Sequence, residues 1–252
     1  MSHLYESDIL IARMNDLANK AVKTGFAASK FLTPAESQNV AEHFSRRSDV
    51  ALIMDGGVEG VERVRAIFTN PDWGGYDRAD LFAALKVAHR PQDTLGHRDI
   101  LGALMALGIE RETIGDIIVM ESYAAFICLP EFCGYIAENL TKAGRVGIDI
   151  SEISIDELPG HKEDLTIKTD TVASLRLDVV LCSAFGLSRA KAAELITAGI
   201  VSVNHQSCLC PDKEVNEQSL LSVRGYGRVK LMEVGGVSRK GRTFIRIGVY
   251  GR

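Results

Sequence analysis

Leu175-Arg-Leu-Asp178, Leu187-Ser-Arg-Ala190, Leu195-Ile-Thr-Ala-Gly199 and Val201-Ser-Val-Asn204 follow one another within thirty residues. Leu177, Leu181, Ala192, Leu195 and Ile196 recur at helical spacing, which predicts two short packed helices over 175–182 and 188–198. Ser188 is placed to cap the second helix and Gly199 to end it. Val201 and Val203 then alternate as a strand. The polar side of this helical hairpin carries Arg176, Arg189 and Lys191, and Asp178 is expected to act as a cap. A helix N-terminus beside Arg and Ser offers backbone N–H groups and positive charge, the chemistry that holds phosphate. Arg189 follows the capping Ser188, where a cation opposes the helix dipole. Its presence points to an anion nearby, which the sequence suggests is a ligand.

The charge distribution agrees. From Leu175 to Arg252, 12 Lys and Arg stand against 6 Asp and Glu, a balance of +6, whereas the remainder of the chain carries −10. A basic end on an acidic body suggests a polyanion-binding module there. Strands are predicted at 220–223, 229–234 and 243–249. Between them lie Ser222-Val-Arg-Gly-Tyr-Gly-Arg-Val229 and Ser238-Arg-Lys-Gly-Arg242. These put Arg224, Arg228, Arg239, Lys240 and Arg242 among glycines, where backbone can approach a phosphate closely. Tyr226 could stack on a base or pack locally.

Upstream, residues 9–48 read as helical, with Thr33-Pro-Ala-Glu36 as a helix start. Residues 51–54 read as a strand entering the Asp55-Gly-Gly57 turn, and 64–68 as extended. Asn70 to Gly75 is rich in turn formers and marks a boundary. The middle segment predicts a strand at 81–89, a helix at 97–107, strands at 116–120 and 123–129, a helix at 130–142 and a strand at 146–154. That β-α-β-β-α-β order is shared by ferredoxin-like and RRM domains. Leu158 to Asp164 reads as a linker. The expected fold is α+β, with a mostly helical N-terminal domain (1–75) carrying a small hairpin, an RRM-like domain (76–158) and a basic domain (172–252). A chain of 252 residues accommodates one to three domains at about 100–200 residues each.

The hairpin motif resembles the S-four domain, the αL RNA-binding fold named after the fourth small-subunit ribosomal protein. His205 departs from the usual Gly, and Gln218-Ser219 from the usual Gly-Asp turn. Further motifs extend the likeness over nearly the whole chain: Leu95-Gly-His-Arg-Asp-Ile-Leu-Gly-Ala-Leu104, Leu107-Gly-Ile-Glu-Arg-Glu-Thr-Ile-Gly-Asp-Ile117, Phe31-Leu-Thr-Pro-Ala-Glu36 and Asp55-Gly-Gly-Val-Glu-Gly-Val-Glu-Arg63. With them the sequence resembles the bacterial YlmH family. That resemblance implies binding to ribosomal RNA on the large subunit, with tRNA a further candidate, in ribosome-associated quality control. The family is also linked to cell division.

The expected RNA contacts are Arg176, Ser188, Arg189, Lys191, Asn204, Arg224, Arg228, Arg239, Lys240 and Arg242, with Arg90, Arg98 and Arg111 as a secondary basic rim for RNA or a partner. No catalytic residue, cofactor or small-molecule substrate is expected. His97-Arg98-Asp99 fits a kinase catalytic loop poorly, because Leu104 stands where Asn is needed. His205, Cys208 and Cys210 lack the further ligands of a closed zinc site, so no metal is expected. In the central sheet, Tyr123 and Phe126 are three residues apart and so face opposite sides of a strand. Phe126 is therefore expected in the core, and base stacking on that sheet is not expected. Five cysteines without a framework suit a reducing cytosol. The sequence has no run of about 18 apolar residues and no apolar signal core at its start, so no membrane partner is expected. The rival readings are an RNA-modifying enzyme, which would need a catalytic Asp motif or cofactor loop, and a divisome-linked interaction protein working through the acidic half.

Overall fold

A computed structural model describes residues 2–72, 75–160 and 165–250. Trp73 and Gly74 of the expected boundary, and residues 161–164 of the expected linker, lie outside the described residues. The chain divides into two compact units, Met1–His161 and Lys162–Arg252.

The first unit begins with α1 (Ser2–Thr24), β1 (Phe26–Leu32), α2 (Pro34–Phe44), β2 (Ala51–Asp55) and β3 (Val64–Thr69). The strands form an antiparallel sheet in the order β1-β3-β2. This corrects the reading of residues 9–48 as wholly helical. Gly25, at φ +96°, ends α1, and Phe26–Leu32 then pairs with β3 although Ala27, Ala28 and Ser29 have little intrinsic strand preference. Cross-strand pairing and burial outweigh propensity here. The buried face of α1 is Met14, Ala18 and Ala21, while Ile9 and Val22 are exposed. The start of α2 is as expected: Thr33 Oγ1 accepts the Glu36 N–H at 3.3 Å, and Glu36 Oε2 accepts the Thr33 N–H at 2.7 Å.

The unit continues with β4 (Ala83–Ala88), α3 (His97–Ala106), β5 (Ile114–Val119), β6 (Tyr123–Cys128), α4 (Pro130–Asn139), a small ladder of β7 (Lys142–Ala143) and β8 (Val146–Gly147), and β9 (Asp149–Ile153). The four longer strands form an antiparallel sheet ordered β5-β6-β4-β9. The helix α4 stops at Asn139, short of 142, because Leu140 leaves helical geometry at ψ 85°. Gly144, at φ +58°, turns the β7–β8 ladder rather than ending the helix. One sheet face packs Leu85, Val87, Ala124 and Phe126 with Ile100 and Leu104 of α3 and Ile136 of α4. The other packs Ala84, Ala125 and Ile127 against Phe31, Ile67 and Phe82. Residues 1–75 and 76–158 therefore share a core. Two arginines join it. Arg65 donates to the carbonyls of Ser29 and Leu81, and burial pushes its guanidinium down to about 10. Arg63 donates to the carbonyls of Ile114 and Phe31, each at 3.1 Å.

The second unit contains β10 (Leu165–Val172), α5 (Leu177–Phe185), α6 (Arg189–Thr197), β11 (Val201–Val203), β12 (Gln206–Ser207), β13 (Leu220–Val223), β14 (Gly227–Val237) and β15 (Thr243–Tyr250). They form one antiparallel sheet ordered β10-β15-β14-β13-β11-β12. The strand β10 precedes the expected start at 172 and pairs along its whole length with β15, from Leu165↔Tyr250 to Val172↔Thr243. Its charged and Thr-rich sequence hides it, as suits an edge strand. The inward side chains of the sheet, among them Leu221, Val223, Val229, Leu231, Ile245 and Ile247, pack with Leu177, Leu181, Ala192, Leu195 and Ile196. All five apolar positions chosen from the sequence for the hairpin are thus in the core.

Candidate nucleic-acid interface

The helical hairpin is organised by Asp178. This residue lies in the first turn of α5 and is 2% exposed. One carboxylate oxygen accepts from Arg176 Nε at 3.1 Å, and the other from Arg176 Nη2 and Arg189 Nε, both at 3.1 Å. Asp178 is therefore an internal anion rather than a cap, and it accounts for the cation in the first turn of α6. The sequence inference that Arg189 requires a ligand anion is corrected on this point. Burial pushes the Asp178 carboxyl up, but the hydrogen bonds and charges of the two guanidiniums outweigh it and hold the group below the usual carboxylate range. Two arginines on one carboxylate leave a net charge of +1. The Arg189 side chain remains 64% exposed. A buried carboxylate that fixes planar guanidinium forks at the surface preorganises them for a planar or tetrahedral anion.

Ser188 caps α6, accepting the Lys191 N–H at 3.2 Å. Lys191 is partly exposed and pairs with Glu194 at 2.8 Å. The β13–β14 turn lies beside the hairpin: the Arg224 N–H donates to Ile200 O at 3.2 Å, and Tyr226 packs edge-on against Phe185 with ring centroids 6.1 Å apart. Tyr226 thus packs locally, and Arg224 is exposed at the turn. Arg176 and Arg189 are thus brought together on Asp178, with Ser188 and Lys191 at the same end of α6, whereas the Arg224 backbone meets Ile200 past the other end of that helix.

The other expected contacts are placed elsewhere. Asn204 turns β11 into β12 at φ +49°, and its Oδ1 accepts the Leu220 N–H at 2.8 Å, so that atom serves the fold. His205 follows at φ +66°, and Gln218 stands at φ +64°. Both departures from the S-four pattern noted in the sequence therefore keep a left-handed, glycine-like backbone with a side chain attached. Arg228 sits on the sheet face away from the helices, its guanidinium 4.7 Å from the centre of the Tyr250 ring. Arg239, Lys240 and Arg242 belong to the β14–β15 turn. The eleven residues of β14 put that turn about 30 Å from the β13–β14 turn. Arg242 is tied there to Thr171 Oγ1 at 3.2 Å.

In the first unit, Arg90 and Arg98 are exposed, whereas Arg111 turns inward and donates to Ile114 O at 2.6 Å and Gly115 O at 3.1 Å. Burial, followed by the charge of Arg63, pushes Arg111 down to about 10. The secondary rim thus loses one member to the fold. Phe126 is fully buried on the helix-covered face, and Tyr123 lies on the other face under Lys86, 4.8 Å from its ring centre. Their opposite orientation is as the sequence indicated. Among the described residues, no group of three or more His, Cys, Asp or Glu is arranged to hold a metal ion, and no helix is long and apolar enough to cross a membrane. Sequence reasoning missed the double use of Asp178. The signal was present as Arg176, Asp178 and Arg189 at the facing ends of two adjacent helices.

This hairpin on an antiparallel sheet, with cations displayed at the helix ends, defines an RNA-binding module of the S-four class. The S4 domain model matches residues 175–220. The YlmH_RBD model, "Putative RNA-binding domain in YlmH", matches residues 85–157. The ribosome-associated protein quality control protein P2 of Bacillus subtilis (strain 168) is 34% identical over 212 residues, covering 83% of this chain and 82% of that protein. The solved structure of cell division protein ylmH from Streptococcus pneumoniae aligns at 19% identity and a TM-score of 0.48, over 61% of this chain and 90% of that one. The chain belongs to the YlmH family.

Proposed function

We propose that this protein is a non-catalytic RNA-binding protein of the ribosome that works in the cytoplasm in ribosome-associated quality control. Its target is large-subunit ribosomal RNA, with peptidyl-tRNA the second candidate. The observation that carries this reading is the buried Asp178 holding Arg176 and Arg189 at the surface, with Lys191 in the same first turn of α6 as Arg189. A phosphate backbone is the ligand such a fixed array of forks and ammonium groups suits. The name of the Bacillus subtilis relative supports the ribosomal setting. Arg239, Lys240 and Arg242 extend the contact to a second point on the RNA.

In this reading the first unit supplies an RRM-like module, since its strands and helices follow the βαββαβ order. The sheet face on which an RRM stacks bases is occupied at Ala84, Ala125 and Ile127 by the N-terminal sheet. The module therefore meets RNA through its rim, where Arg90 and Arg98 are exposed, or serves as a scaffold. The non-catalytic reading is supported by the structural uses of three polar groups: Asp178 holds Arg176 and Arg189, Asp116 accepts the Glu62 and Arg63 N–H groups at 2.6 and 3.0 Å, and Arg111 donates to the carbonyls of Ile114 and Gly115.

Sucrose-gradient sedimentation with large ribosomal subunits tests the reading. The chain carrying Lys191→Glu and Arg224→Glu together should fold and fail to co-sediment at low salt. Co-sedimentation equal to wild type would remove the helical surface as the ribosome contact.

A further inference from the structure

The first unit contains a groove of about 1200 Å³ with a mainly apolar lining. One wall is α1 from Glu6 to Lys20, about 21 Å of helix. The other is formed by residues 110–112, and the floor by Ala28 to Leu32 of β1. The strand β1 is an outer strand of its sheet. Its consecutive residues line the groove, so its edge rather than one face is presented there. On the helix wall Leu10 and Leu17 are half-buried, and Ile9 is 38% exposed.

Two guanidiniums meet in this groove. Arg63 Nε and Arg111 Nη1 donate to the same oxygen, Ile114 O, at 3.1 and 2.6 Å. Their other acceptors are also backbone carbonyls: Phe31 O and Arg111 O for Arg63, and Gly115 O for Arg111. Among the described residues, neither arginine forms an ion pair. The carboxylates nearby are committed elsewhere. Glu36 Oε2 accepts the Thr33 N–H and hydroxyl, Asp116 accepts the Glu62 and Arg63 N–H groups, and Lys30 bridges Glu110 and Glu112. Burial lowers Arg63 as it does Arg111, with Glu36, Asp116 and Glu112 acting the other way at longer range. Two like charges that converge in a half-buried place are stabilised by an anion laid against both. The surrounding carboxylates repel a polyanion, so a single carboxylate attached to an apolar body is the ligand that fits.

We propose that this groove takes the C-terminal end of an extended polypeptide with apolar last residues. Its carboxylate lies on Arg63 and Arg111, its side chains against Ile9, Leu10 and Leu17, and its backbone along β1. An outer strand offers N–H and C=O groups to an added strand, and a chain terminus joins a carboxylate directly to such a backbone. The inference is independent of the RNA-binding reading and gives the first unit a protein ligand.

Fluorescence anisotropy of the full chain with labelled hexapeptides tests this directly. The probe is a mixture whose last four positions are drawn from Ala, Val, Leu, Ile and Phe, prepared both as the free acid and as the C-terminal amide. The acid should bind about 10-fold to 100-fold more tightly than the amide, the range for hydrogen bonds to a charged group. Arg111→Gln should bring the acid to the affinity of the amide. Ile9→Glu, at an exposed position, should weaken both peptides, and it decides the matter if Arg111→Gln does not fold. Equal affinity for acid and amide, or binding of neither, would overturn the proposal. Acid binding unchanged in Ile9→Glu and in folded Arg111→Gln would place the peptide elsewhere and overturn it too. Displacement of the peptide by oligouridine would make the groove an RNA site, and displacement by decanoate as readily as by unlabelled peptide a fatty-acid site. Either result would overturn the proposal. Co-sedimentation with large ribosomal subunits is a separate readout, so a failure here leaves the RNA reading standing.

Discussion

The two large sheets of this protein share a plan and differ in what covers them. Each is antiparallel and carries two helices on one face. In the first unit the second face is closed by the same chain, with Ala84, Ala125 and Ile127 under Phe31, Ile67 and Phe82. In the second unit that face exposes Ile167 and Phe244 among cations. A sheet face closed by apolar packing contributes stability and cannot read a ligand. One left open to solvent contributes less to the fold.

The largest expected effect breaks or upholds this contrast. Ile127→Ala, on the closed face, should cost about 2–5 kcal/mol by opening a cavity. Ile167→Ala, on the open face, should stay within about 0.5 kcal/mol. Chemical denaturation followed by circular dichroism measures both, and similar costs at the two sites would dissolve the distinction.

A smaller effect is expected within the second unit at Asp178. Asp178→Asn should destabilise it by about 1–3 kcal/mol, the loss of charge-assisted hydrogen bonds to two arginines. The folded-state carboxyl titrates below its ordinary value. Its contribution is therefore fully present above the unfolded value of about 3.9 and disappears as pH falls through the folded value. The gap in melting temperature between wild type and Asp178→Asn should be constant from pH 5 to 8 and close below about pH 4. A gap that persists at lower pH would mean that the carboxylate charge is not what stabilises the hairpin. Arg189→Glu should lower the melting temperature rather than raise it, because it sets a like charge against Asp178.

The second unit was the more legible from sequence. The apolar series from Leu177 to Ile196, the Ser188 cap and the Gly199 stop are local signals, and they survive folding. What stayed hidden depends on distant partners. The strand β1 follows a long helix and contains Ala, Ser and Lys, so only its pairing with β3 makes it a strand. The strand β10 is polar because it is an edge. Within the candidate site, residue types were legible but their obligations were not. Asn204 and Arg111 look like surface polar groups, yet their side chains hold the Leu220 N–H and the carbonyls of Ile114 and Gly115. Arg189 looked like evidence for an external anion until the neighbouring helix supplied Asp178.

Salt dependence follows from the cationic surface. With about five phosphate contacts, affinity for large-subunit RNA should fall roughly 10²–10³-fold between 50 and 200 mM salt. A flat titration would count against phosphate recognition by the second unit.

The most direct test of the RNA-binding surface is ultraviolet crosslinking of the full chain to large ribosomal subunits, with mass spectrometry of the crosslinked peptides and sequencing of the attached RNA. Crosslinks are expected in the peptides that carry Ser188 to Ile200 and Arg224 to Arg228, joined to ribosomal RNA. Crosslinks confined to the first unit, or none to RNA, would contradict the assignment of the helical hairpin as the ribosome contact.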